Sequence, residues 1–143
     1  MKNILVELRE DIRKTIMNEI TDYDYRYRRY NINYSVLIGF AEELDLTSFE
    51  SYIRKSDRFI VIKPNLCAIV LDCTDEKGGI KAGNNLLTRF QNLFFSKKLF
   101  ASVVTASAHK DAIHLVNELY HLLSFGITHN MDNILIDSSQ LFK

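Results

Sequence analysis

The stretch Cys67-Ala68-Ile69-Val70-Leu71-Asp72-Cys73 carries a single charged residue. A strand that does not alternate polar with apolar residues belongs in the middle of a sheet. Phe59–Ile62 reads as the strand before it, and Lys63-Pro64-Asn65 supplies the tight turn between the two. Tyr34 to Phe40 reads as another strand, with Tyr34, Val36, Ile38 and Phe40 pointing one way. Leu99 to Ala106 is the fourth. Helical periodicity fills the gaps. Thr47 to Arg54 reads as a short helix, with Thr47 as N-cap and Glu50 three residues later. Gly79 to Phe94 places Gly83, Leu86, Leu87, Phe90, Leu93 and Phe94 on one face. Asp111 to Leu123 does the same through Ala112, Val116, Leu119, Leu122 and Leu123. The order β-α-β-β-α-β predicts an α+β fold: a ferredoxin-like antiparallel sheet with helices on one face. Asn133–Ile136 is a candidate edge strand.

A further helix precedes this unit. From Asn3 to about Tyr25, the residues Leu5, Leu8, Ile12, Ile16, Ile20 and Tyr23 recur at spacings of three and four, with charged residues between them. The chain therefore divides into residues 1–30, an added N-terminal helix for signalling or dimerisation, and residues 31–143, the sheet domain. If the sheet has one face to cover, the two long helices after the hairpin cover it. Part of the N-terminal stripe is then left for a second copy of the chain or a partner protein, and a homodimer is expected.

Composition narrows the function classes. At 143 residues the chain is long enough for one domain with a real core. Lys plus Arg number 18 and Asp plus Glu number 18, so overall charge selects no polyanionic partner, and no nucleic-acid target is expected. No apolar run reaches the length of a membrane span, and the charged amphipathic start is not a signal peptide. No membrane partner and a cytoplasmic location are expected. Cys67 and Cys73 lie six apart in one strand, about 20 Å at ~3.3 Å per residue, too far to bridge each other. Both read as buried free thiols, suited to a reducing compartment.

One short motif carries ligand chemistry. In Arg54-Lys55-Ser56-Asp57, a guanidinium fork and a carboxylate stand three residues apart. Arg offers planar donors to a phosphate or guanine edge, and Asp accepts from guanine N–H groups. The bland alternative is a local ion pair at a helix end, worth about 0.3–0.5 kcal/mol.

The motif, its position five residues before the hairpin turn and the element order together resemble bacterial GGDEF domains, whose Arg-x-x-Asp inhibitory site binds cyclic di-GMP. The run Phe100 to Ser107 is similar to that family's next strand, and Asp111 to Tyr120 to its last helix. The family's signature positions read Lys63-Pro64-Asn65-Leu66-Cys67 here. Its metal-binding acids at the end of the first strand correspond to Gly39-Phe40-Ala41, and the signature's acidic position falls on Leu66 or Asn65. Ala41 to Ile53 is too short for the two helices that carry its guanine-binding residues. Its basic position in the last helix matches Leu122 or Leu123. Mg²⁺ needs carboxylates, and phosphoryl transfer needs the metal. The resemblance therefore implies a degenerate, catalytically inactive domain with no catalytic residue, no metal site and no cofactor. It implies cyclic di-GMP as ligand at Arg54 and Asp57. Asn84 and Asn85 stand nearest the position where the family supplies a second arginine, and Arg58 or Arg89 substitutes for it. The alternative is a protein–protein interaction or dimerisation scaffold that binds no nucleotide.

Two other clusters read as structural. Tyr23 to Tyr30 mixes four aromatics with Arg26, Arg28 and Arg29, which fits a helix end with tyrosines packed on the sheet and arginines in water. His114 and His121 are seven apart, about 10 Å in helical rise, so one ion cannot bridge them. Together with His109 they read as exposed helix histidines.

Overall fold

The computed structural model describes residues 2–139, with side chains from Val6 onward. Met1, the Leu5 side chain and residues 140–143 lie outside that description. The helix α1 spans Lys2–Tyr30, β1 Tyr34–Phe40, a 3-10 helix Thr47–Tyr52, β2 Arg58–Lys63 and β3 Leu66–Asp72. Then come α2 Glu76–Leu93, β4 Phe100–Thr105, α3 Ala112–Thr128 and β5 Leu135–Ile136. The sheet order is β2-β3-β1-β4-β5. The first four strands are antiparallel, and β5 adds a two-residue parallel edge beside Ala101 and Ser102. The expected edge strand is therefore present, shorter than read.

Strand alternation sorts the core into two halves. Tyr34, Val36, Ile38 and Phe40 of β1, with Ala68 and Val70 of β3, face α1 and α3. Leu37, Cys67, Ile69 and Leu71 face the other way, toward Phe49 of the 3-10 helix and Leu87 and Phe90 of α2. The helical elements inside the β-α-β-β-α-β unit do share one face. The added helices α1 and α3 cover the opposite face together.

This corrects the expectation about the N-terminal stripe. Ile12, Ile16 and Ile20 are each 0% exposed within one chain. Burying each gains about 1.5–3 kcal/mol. The second face of the sheet takes up these three residues, so they are not left over to hold a homodimer. The helix also runs past Tyr25 to Tyr30. Its last turn is held by Asp24, whose Oδ1 accepts from Tyr34 Oη at 2.6 Å and whose carboxylate pairs with Arg28. Asn31, at φ 59°, closes the helix in the left-handed conformation that Asn tolerates.

Two features set α2. Asp75 caps it, accepting from Gly78 N at 2.8 Å, so the helix starts earlier than its apolar stripe suggested. Gly79 and Gly83 then let it lie close on the sheet. A Cβ on Gly79 would stand 2.9 Å from Ser35 Oγ, and one on Gly83 2.7 Å from Leu135 Cδ2. Similarly, α3 continues beyond Leu123 because Gly126 and Ile127 extend its buried face.

Cis burial of the stripe sets an expected outcome. Ile16→Ala should cost about 2–5 kcal/mol in urea unfolding, whereas Val6→Ala, at 65% exposed, should stay within about 0.5 kcal/mol. Ile12 and Ile16 both changed to Glu should abolish cooperative unfolding. A folded monomer from that double variant would mean the stripe is an intermolecular surface after all.

Candidate ligand cleft

The loop between the 3-10 helix and β2 carries Arg54 and Asp57. The 3-10 helix is nucleated by Asp45, whose Oδ1 accepts from Thr47 N at 2.8 Å and Thr47 Oγ1 at 2.6 Å. Those bonds lower the Asp45 pKa below its ordinary value. Thr47 is not the cap that the sequence suggested, because Leu46 holds that position without a side-chain bond. The helix stops at Tyr52, leaving Arg54 in the loop.

Asp57 is where the loop is fastened. Its Oδ2 accepts from Arg54 Nε at 3.0 Å and Arg54 N at 3.3 Å. Its Oδ1 accepts from Arg54 Nη2 at 2.8 Å and from Asp72 N at 3.1 Å. The Asp57 side chain is only 2% exposed, while that of Arg54 is 59% exposed. Arg54 Nη2 also donates to Asp72 O at 2.9 Å and to Thr74 Oγ1 at 3.0 Å. Nη1 has no partner among the described residues. The pair is thus a buried clamp between the loop and the end of β3. The carboxylate expected to read guanine is saturated by the protein itself.

Arg54 lines a cleft of about 980 Å³ between the loop and α2. Arg89 lies across it, its guanidinium carbon 4.3 Å from the centre of the Tyr52 ring. Lys81, Asn85, Thr74 and Asp75 also line it. Arg58 does not reach this cleft. Alternation along β2 turns it to the other face, where Nη1 bonds Glu19 Oε2 at 3.0 Å and the guanidinium sits over Tyr23. Of the four residues singled out from sequence, three meet and one points away. Tyr52 and Lys81 were not singled out. For Lys81 a signal was available in α2, where Lys81, Asn85 and Arg89 repeat at i, i+4 and i+8, one helical face.

Ala41 and Leu66, two of the positions that the resemblance matches to metal ligands, are apolar and covered. Ala41 is 1% and Leu66 0% exposed. Beside them Gly39, Leu46, Phe49, Cys67 and Leu87 line a small apolar cavity of about 50 Å³. Burial pushes the Cys67 thiol up to about 11, so it stays protonated and unreactive at neutral pH. Among the described residues no three His, Cys, Asp or Glu side chains come together as a metal set.

Three smaller readings change. Cys73 is exposed, not buried, and lies at the cleft with φ 49°. His109 is not an exposed helix residue: it precedes α3 at 10% exposure, 2.7 Å from Glu118 Oε2. The two atoms approach without the alignment of a hydrogen bond, and burial lowers the His109 pKa. Arg26 is not simply solvated, since it pairs with Asp72 at 3.4 Å and stacks on Tyr23.

No family model and no curated protein sequence matches the chain. Its fold does match solved structures. A microbial GGDEF domain, studied for its mode of interaction with cyclic di-GMP, superposes with a TM-score of 0.72 at 10% identity, over 88% of this chain and 92% of that one. The isolated GGDEF domain of PA1120 (TpbB or YfiN) from Pseudomonas aeruginosa gives 0.66 at 9% identity, over 85% of this chain and 86% of that one. At such identities the likeness is one of backbone architecture: this chain has the fold of a GGDEF domain.

Proposed function

We propose that this chain is a non-catalytic GGDEF-like signalling domain that binds cyclic di-GMP in the Arg54 cleft. The observation that carries the reading is the convergence of Arg54 and Arg89 on one cleft beside Tyr52. Two guanidiniums suit two phosphates, and an aromatic ring suits a base. One structural neighbour is itself described as interacting with cyclic di-GMP. In this reading Arg54 is the ligand contact, Nη1 being its available donor. Asp57 is a positioning residue that holds the guanidinium in place. No helix among the described residues is long and apolar enough to cross a membrane.

The helix α1 bears on the same site. Glu19 holds Arg58, Tyr23 Oη donates to Ser56 O at 3.4 Å, and Arg26 pairs with Asp72. Those three contacts flank the clamp, so residues 1–30 are coupled to the cleft and suit a signalling role. The interaction-scaffold reading draws on one observation, the internal saturation of Asp57.

Catalysis is expected to be absent. Gly39, Ala41 and Leu66 offer no oxygen ligand for the Mg²⁺ that phosphoryl transfer requires. GTP with Mg²⁺ should therefore yield no cyclic di-GMP above a protein-free blank by chromatography. Metal-dependent product that scales with protein concentration would overturn the inactive reading.

Binding is tested by calorimetry. Cyclic di-GMP should bind at micromolar levels, and Arg54→Ala should weaken it by about 1.5–3 kcal/mol, the range for a hydrogen bond to a charged group. No heat and no amide shifts up to millimolar ligand would leave the scaffold reading standing alone.

A further inference from the structure

We infer, resting on the cyclic-dinucleotide reading above, that Asp75 at the start of α2, and not Asp57, is the carboxylate that reads guanine in this cleft. Arg54 Nη1 is the donor beside it, and the pair makes the cleft prefer cyclic di-GMP to cyclic di-AMP.

Two acids line the cleft, and their states differ. Asp57 is 2% exposed and already accepts four hydrogen bonds from the protein. Asp75 is exposed. Its Oδ1 accepts from Gly78 N at 2.8 Å, and its Oδ2 has no partner among the described residues. Gly78 leaves that carboxylate uncrowded, since a Cβ there would stand 3.2 Å from Oδ1. Asp75 also stands beside a free donor. Arg54 Nη2 bonds Thr74 Oγ1 at 3.0 Å, and Asp75 follows Thr74 in the chain. The Nε and Nη2 of Arg54 serve Asp57, Asp72 O and Thr74, while Nη1 keeps both of its N–H groups.

A donor beside an acceptor has the polarity that guanine asks for. Along its Watson–Crick edge guanine presents O6, which accepts, then N1–H and the N2 amino group, which donate. Arg54 Nη1 meets O6, and Asp75 Oδ2 meets the two donors. The second N–H of Nη1 stays available for a phosphate oxygen. Adenine in the same pose sets its amino group against the guanidinium and its N1 lone pair against the carboxylate. Turned over, adenine still gives the carboxylate one donating group where guanine gives two. The rest of the cleft does not discriminate. Lys81 and Arg89 are exposed and make no side-chain hydrogen bond or ion pair among the described residues, so they serve phosphates. Tyr52 and the Arg89 plane over it offer stacking, which accepts any base. The Asn85 amide carries both a donor and an acceptor and suits either base. Selectivity therefore falls on Asp75.

Calorimetric titration of the intact chain with cyclic di-GMP and with cyclic di-AMP tests this. The wild type should bind cyclic di-GMP more tightly by about tenfold, the scale of one bidentate base contact. Asp75→Asn separates the base contact from the helix cap. Asn caps a helix as well as Asp does, so α2 keeps its start, which urea unfolding checks. The amide oxygen retains Gly78 N, and an amino group takes the place of Oδ2. This variant should lose about tenfold toward cyclic di-GMP and bind the two dinucleotides within about threefold of each other. Asp75→Ser, which also caps but lacks the carboxylate, should lose the preference likewise. Arg89→Ala should weaken both ligands by the same factor and leave the preference intact. A wild type that binds both dinucleotides equally, or an Asp75→Asn variant that keeps the wild-type preference, overturns the inference while the binding reading stands. If the wild-type chain binds neither dinucleotide, the binding reading itself fails and this inference fails with it.

Discussion

The sheet is buried on both faces, and the rest of the molecule follows from that. Val36 and Leu37, adjacent in β1, point to opposite sides and are 0% and 6% exposed. Val70 and Ile69 do the same in β3, at 0% and 5%. Two apolar faces need two layers of helix, since exposing either forfeits about 25 cal/mol per Å² of apolar surface. The 3-10 helix and α2 supply one layer, and α1 with α3 the other. The N-terminal helix is therefore part of the core it appeared merely to precede. Close approach is enforced on the α2 side, where Gly79 and Gly83 leave room that a side chain would fill.

Within this frame the Arg54–Asp57 pair does structural work before any ligand arrives. A buried carboxylate must be hydrogen-bonded, because leaving it unpaired costs several kcal/mol. Asp57 meets that demand with Arg54 and with the backbone of two segments, Arg54 N and Asp72 N. The loop is thereby tied to the end of β3. Asp72 in turn carries Arg26 of α1 on its side chain, so one residue links the clamp to the far layer. The arginine is left half in water with both N–H groups of Nη1 to spare. That division of labour, acid inside and base outside, explains how a single pair can both hold a loop and face a cleft.

The backbone has the fold of a GGDEF domain, and two positions that bear on its chemistry are apolar. Leu66 and Ala41 sit where the resemblance would place acids, and each is sealed into the core. An uncompensated carboxylate at either position would be costly to bury. Architecture and chemistry are separable, as elsewhere among widely used folds. The polar cleft is lined instead by cations, Arg54, Lys81 and Arg89.

Much of this was legible in the residues. Strand and helix order follow from hydrophobic period, and the unbroken run Cys67–Leu71 marked a central strand. Boundaries shifted where side chains acted at a distance: Asp75 started α2 early, and Asp24 with Tyr34 carried α1 to Tyr30. Tertiary structure alone decided three things. Periodicity shows that Ile12, Ile16 and Ile20 form a stripe but not which surface receives it, and the answer lay in which face α3 occupies. A motif of Arg and Asp three apart does not say whether the carboxylate is free, since that depends on Asp72 N, contributed from 15 positions along the chain. Nor does sequence say that Arg58 faces α1 while Arg89, 35 residues from Arg54, faces the same cleft as Arg54. Local pattern fixes which way a side chain points from its own element. Only packing fixes what it points at.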